Sequence, residues 1–181
     1  MLKTLLSFFI FISLGCVVIE AQDYIDRQGE ITFFSYTSVE DIQAKNNQGL
    51  SSISLETGDI AVRILMKAFV FKKSLMHEHF NESYIESDLY PEATFLGKII
   101  DFNQDDDEQI RIIKGDFQLR DVSKPFEIKS KITKENNTYS IEGELEVNIE
   151  DYKIKVPKLL SPNIAKTIKV SFKFQYRPNE K

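Results

Sequence analysis

The sequence predicts a mainly β protein, an antiparallel sheet of about eight strands either closed on itself or folded into a sandwich. Hydrophobic and polar residues alternate over long stretches, which is the period of a strand with one buried and one wet face. The alternating runs are joined by short, turn-rich connections. Phenylalanine is abundant, 14 residues with no tryptophan, and several fall at inward positions.

The first 21 residues read as a leader rather than as part of the fold. Lys3 supplies a positive charge, LLSFFIFISLG is an apolar run too short to span a bilayer, and Ile19-Glu20-Ala21 resembles a small-residue cleavage site. This predicts a signal peptide over 1–21, export to the periplasm and a mature domain over 22–181. Lipidation at Cys16, giving an outer-membrane lipoprotein, is the lesser alternative, because Leu14-Gly15-Cys16 departs from the usual spacing. Cleavage would remove the only cysteine and leave a core without disulfides.

Residues 30–37 (EITFFSYT) form the first predicted strand, with Phe33 inward. The polar stretch 40–58 follows, with a short helix over 39–45 and turns at Gly49 and Gly58. A long strand covers 59–71; Arg63 and Lys67 mark its wet face, so Val62, Ile64 and Met66 point in. Residues 94–101 are a further strand carrying Phe95. Asp105-Asp106-Asp107-Glu108 then makes an exposed loop, since it lacks the spacers and central glycine of a calcium site. Strand 109–120 carries Phe117, and 121–125 turns the chain into the run Phe126, Ile128, Ser130, Ile132. Glu135-Asn136-Asn137 is a hairpin turn. Two clean alternations complete the sheet: Tyr139, Ile141, Gly143, Leu145, Val147 and Ile149, then Ile168, Val170, Phe172, Phe174 and Tyr176.

The formal net charge of −5 speaks against a nucleic-acid partner. Residues 22–110 hold 7 basic and 17 acidic side chains, and residues 111–181 hold 15 and 10. Charged outer faces account for that asymmetry; the sharper alternative is a basic rim receiving an anionic head group.

The segment SLMHEHFNESYIESDLYPEATFLG gathers both histidines and a row of carboxylates. His77 and His79 diverge on a helix, and no cysteine or third histidine remains in the mature chain to complete a zinc site, so no metal is expected. Glu78, Glu82, Glu86 and Asp88 accompany no nucleophile or triad. Leu75, Met76, Phe80 and Tyr84 recur at helical spacing, and Pro91 turns the chain into the next strand. The segment is therefore a helical joint at one end of the sheet.

From Phe69 to Ile99, FxFxKSLMxEHFNExYxESDxYPxATFxGKI closely resembles the YceI-like family, in the form found in many Bacteroidetes proteins. The likeness continues through GDFQLRDVSKPF, LEVNIEDYKIKVP and the last strand. Asp121 stands where the family commonly has glycine, which marks that turn as a point of difference. The resemblance implies an eight-stranded antiparallel lipocalin-like barrel with one or two short helices. It implies no catalytic residue and no cofactor, and a polyisoprenoid or similar long-chain lipid held tail-inward.

On that view strand parity assigns the apolar cavity to Phe33, Val62, Ile64, Met66, Phe95, Phe117, Ile128, Ile141, Leu145, Val170, Phe172 and Phe174. The expected function is non-enzymatic lipid binding in the periplasm, for sequestration or transport. Two other readings compete with it. One is an envelope interaction module with a solid barrel core; the other is a lipid-acting enzyme using carboxylates near Glu78 and Glu82. Whether the chain pairs into a homodimer is left open at this stage.

Overall fold

The computed structural model describes residues 23–36, 40–156 and 165–179. The signal peptide expected over 1–21, with Cys16, falls outside the described residues. Nine strands are present among the described residues: β1 Asp23–Ser35, β2 Ile42–Ser54, β3 Asp59–Leu65, β4 Val70–Phe71, β5 Glu92–Ile99, β6 Glu108–Leu119, β7 Val122–Glu135, β8 Thr138–Asn148 and β9 Thr167–Pro178. Their order is β1-β9-β8-β7-β6-β5-β3-β2, and β1 pairs with β2 to close the ring. The tiny β4 also pairs with β2 and continues the wall beyond β3. The result is a closed eight-stranded antiparallel barrel, which leaves no edge strand exposed for aggregation at the β1–β2 junction.

The first strand starts earlier than expected, at Asp23 rather than Glu30, and three other elements differ from the sequence expectation. The polar stretch is strand, not helix, from Ile42 onward; Val39 lies outside the described residues. Its inward positions are Ala44, Asn46, Gly49, Ser51 and Ile53, so it carries almost no hydrophobic alternation. Barrel closure between β1 and β3 makes it a strand, overriding local propensity.

The long strand over 59–71 breaks after Leu65 into a 3₁₀ turn, Met66–Ala68, before β4 resumes. Asn46, fully buried, donates its Nδ2–H to the Leu65 carbonyl at 2.8 Å, and Met66 N–H donates to the Pro91 carbonyl at 2.9 Å. These bonds replace ladder bonds lost at the break.

The turn expected over 121–125 contracts to Arg120 and Asp121, with φ of 49° and 58°. Two left-handed residues between paired strands give the tight hairpin whose twist matches the sheet. Pro125 therefore lies within β7. The hairpin at Asn136-Asn137 and the β8 and β9 faces follow the sequence reading, except that the chain leaves the sheet at Asn148 for a second 3₁₀ turn, Ile149–Tyr152.

The barrel interior is packed solid at the end marked by Tyr24. There the Phe174 ring lies against Gly29 and Gly49; a Cβ on Gly29 would come within 2.1 Å of that ring. Tyr24 and Tyr139 meet edge to face at 5.3 Å, and the Tyr176 hydroxyl shares a 2.7 Å hydrogen bond with Ser51 Oγ. Ile53, Ile99, Ile113, Ile132 and Ile141 fill the space between these rings. Complete burial raises the Tyr176 phenol above its ordinary pKa.

Candidate functional site

The other end of the barrel, where β1 finishes at Ser35 and β2 starts at Ile42, is hollow. A cavity of about 460 Å³ opens there. Ile31, Phe33, Ile64, Ala93, Phe117, Leu119, Val147 and Val170 form its walls, from six strands around the ring. Phe69, Phe71 and Phe80 join Phe33 in a cluster of four rings whose centroids lie 5.1–5.7 Å apart. Because these rings lean on one another, they do not reach across to plug the bore as Phe174 does at the far end.

A short helix, α1 (Ser74–His79), runs into a π-helical turn, Phe80–Tyr84, and lies over this opening. Leu75, Met76, His79, Phe80 and Tyr84 turn toward the cavity, and buried Ile85 anchors the turn. The polar residues of the segment fix its shape. His77 Nδ1 lies 3.0 Å from the Phe69 carbonyl, which can only accept, so Nδ1 carries the hydrogen. Asn81 Nδ2 donates to the His77 carbonyl at 2.8 Å, and Ser87 Oγ donates to Asn81 Oδ1 at 2.7 Å. His77 thus ties the joint to Phe69 beside the wall, while Asn81 and Ser87 brace it from within. Glu78 and Glu82 are exposed, Asp88 pairs with Lys67, and Glu86 pairs with Arg120. Among the described residues no three His, Cys, Asp or Glu side chains come together around a metal-sized site.

Arg120 closes the rim from the other side. Its guanidinium donates to the Lys153 carbonyl at 2.9 Å, pairs with Glu86 and stacks over Tyr90 at 5.3 Å. One side chain therefore joins the β6–β7 turn, the helical joint and the segment after β8.

The structure divides the twelve residues assigned by parity. Phe33, Ile64, Met66, Phe117 and Val170 line the cavity. Val62, Phe95, Ile128, Ile141, Leu145, Phe172 and Phe174 belong to the packed core or lie against it. Parity tells which face a side chain takes, while depth along the strand decides whether that face meets void or neighbour. Wall residues that parity alone did not single out include Ile31, Phe69, Phe71 and Leu119. The aromatic positions of the 69–80 motif carried the available signal.

The polar part of the lining includes Glu40, Lys73 and His79, with Lys73 Nζ 2.5 Å from Glu40. Among the described residues, the lysines of the C-terminal half do not line the bore. Lys114, Lys131, Lys169 and Lys173 pair with Glu127, Glu108, Glu144 and Glu142 across neighbouring strands of the outer wall. The uneven charge of the sequence is thus largely an outer-wall feature.

The YceI-like domain model matches residues 24–176. Among solved structures, a polyisoprenoid binding domain from Saccharophagus degradans, implicated in plant cell wall breakdown, superposes with a TM-score of 0.75 at 13% identity. It covers 88% of this chain and 100% of its own. Burkholderia cenocepacia BcnA gives 0.70 at 10% identity, covering 81% and 95%. A Campylobacter jejuni YceI protein gives 0.61 at 14% identity, covering 80% and 90%. No curated protein matches the sequence significantly. With the family model spanning nearly all of the described barrel, this chain belongs to the YceI-like domain family.

Proposed function

We propose that this protein binds a long-chain amphiphile, a polyisoprenoid or related lipid, without chemically altering it, and sequesters or carries it in the periplasm. The observation that carries this reading is the cavity: about 460 Å³, at the Ser35 end of the barrel and walled almost wholly by aliphatic and aromatic side chains. That volume lies in the range of roughly 300–1,000 Å³ typical of sites for one small ligand. Each methylene of a tail buried there contributes about 0.8 kcal/mol, so affinity accrues without specific polar contacts. The solid Tyr24 end sets a floor, and the mixed-sign rim of Glu40, Lys73 and His79 suits a polar head left near water. The polyisoprenoid-binding domain of Saccharophagus degradans shares this fold and lends the ligand class.

Native mass spectrometry and lipid extraction of protein purified without detergent from its own envelope test the reading. A stoichiometric lipid is the expected result. Preparations that are always empty, and that fail to take up an added long-chain fluorescent lipid, would refute it. Osmotic-shock fractionation should release the mature chain with the periplasmic contents.

A further inference from the structure

The barrel wall is not equally bonded around its circumference. β7 pairs with β6 from Val122 to Thr133, and β8 pairs with β9 from Tyr139 to Asn148. Between β7 and β8 the ladder runs only from Glu135–Thr138 to Ser130–Gly143. Continued in register, it would set Lys129 against Glu144, Glu127 against Glu146 and Pro125 against Asn148. None of these pairs forms. Two strand edges therefore run to the hollow end with no backbone bond between them.

The sequence opposes closure in two ways. Lys134 N–H donates to the Asp107 carbonyl, and the β6–β7 register is unbroken from there to the hairpin. Even-numbered residues of β7 thus bond to β6, and odd-numbered ones face β8. Pro125 has its missing N–H on the β8 side, the position proline takes on a strand edge. A closed ladder would also set the like charges of Glu127 and Glu146 directly opposite each other; Glu127 instead pairs with Lys114 at 2.7 Å.

Side chains alone bridge the gap. The Ile149–Tyr152 turn folds back, and the Tyr152 ring packs on Phe117 at 5.6 Å. Lys124 and Asp151 approach to 3.9 Å, both substantially exposed. Tyr152 is buried, yet its hydroxyl has no partner, and burial pushes that phenol up to about 12. Phe117, Val147 and Ile149 also line the cavity, so the gap borders the bore. Where the strands part, a cleft of about 650 Å³ reaches the inward residues Phe172 and Ser130, and the Ser130 hydroxyl likewise lacks a partner.

We propose that this seam is a lateral port: β7 and β8 separate toward the hollow end and admit the apolar tail of a long-chain lipid sideways. A tail then need not be threaded lengthwise beneath α1. The proposal rests on the lipid-binding reading.

Two experiments on the full chain test it. In residue-resolved hydrogen exchange of the ligand-free protein, the Glu127 and Lys129 amides should exchange at least tenfold faster than those of Lys131 and Thr133. All four face β8, but only the last two lie in the paired stretch. Equal protection overturns the seam whether or not lipid binds. In the second, Lys124→Cys and Asp151→Cys, in a Cys16→Ser background, are joined by a bifunctional methanethiosulfonate. Uptake of cis-parinaric acid should slow at least tenfold, recover on reduction, and keep its equilibrium affinity. Unchanged uptake kinetics overturn the port alone, whereas no uptake by the unlinked protein overturns the port together with the lipid reading.

Discussion

At the Tyr24 end, Phe174 lays its ring across two glycines and Tyr176 is bonded to Ser51, so the bore is filled from wall to wall. At the Ser35 end, Phe33, Phe69, Phe71 and Phe80 stack on one another along one side and leave space beside them. Both ends are built from the same strands and are rich in phenylalanine. Aromatic content therefore does not decide between core and cavity. What decides is whether each ring has a glycine opposite it that lets it lie across the bore.

This contrast can be tested by substitution. Phe174→Ala should be the most damaging, costing about 3–5 kcal/mol in urea unfolding, because it opens a void where nothing can collapse. Phe33→Ala, at a half-buried ring already beside empty space, should cost only about 2 kcal/mol, a smaller loss for the same chemistry. A cost equal to that of Phe174→Ala would show that the two ends are packed alike. Val170→Phe pushes bulk into the hollow: lipid affinity should fall about tenfold or more as several methylenes of the tail are displaced. Its stability should move by less than about 1.5 kcal/mol, unlike overpacking in a filled core. Asn81→Ala removes the bonds to His77 and Ser87 and should cost about 1–2 kcal/mol, with faster lipid release from a loosened joint.

The smallest effect near neutrality is that of pH. Tyr24, Tyr152 and Tyr176 hold their protons more tightly in the folded state than in the unfolded chain. Their contribution is fully present below about pH 10 and is lost as pH climbs through their raised values. Circular dichroism should show base-induced unfolding starting above about pH 10; Tyr152→Phe, which also removes an unbonded buried hydroxyl, should move that onset upward.

The period of two made β6 to β9 legible, because each has bulky residues on one face and charges on the other. β2 was hidden because Ala44, Asn46, Gly49 and Ser51 face inward where large side chains from other strands need room. The break at Met66 depends on Asn46, 20 residues away in sequence, and no local pattern announces it. For the cavity, alternation found the inner face but could not give depth. Phe117 meets void and Phe95 does not, though the two are cross-strand partners.

The rungs of opposite charge on the outer wall have a kinetic meaning. Lys45 with Glu30, Lys173 with Glu142, Lys169 with Glu144 and Lys131 with Glu108 cancel one another side by side. Fields from such close pairs decay within a few ångströms, so this part of the barrel exerts little long-range pull on a charged membrane or cargo. Encounters on that side are left to random diffusion, and their frequency should barely change with ionic strength.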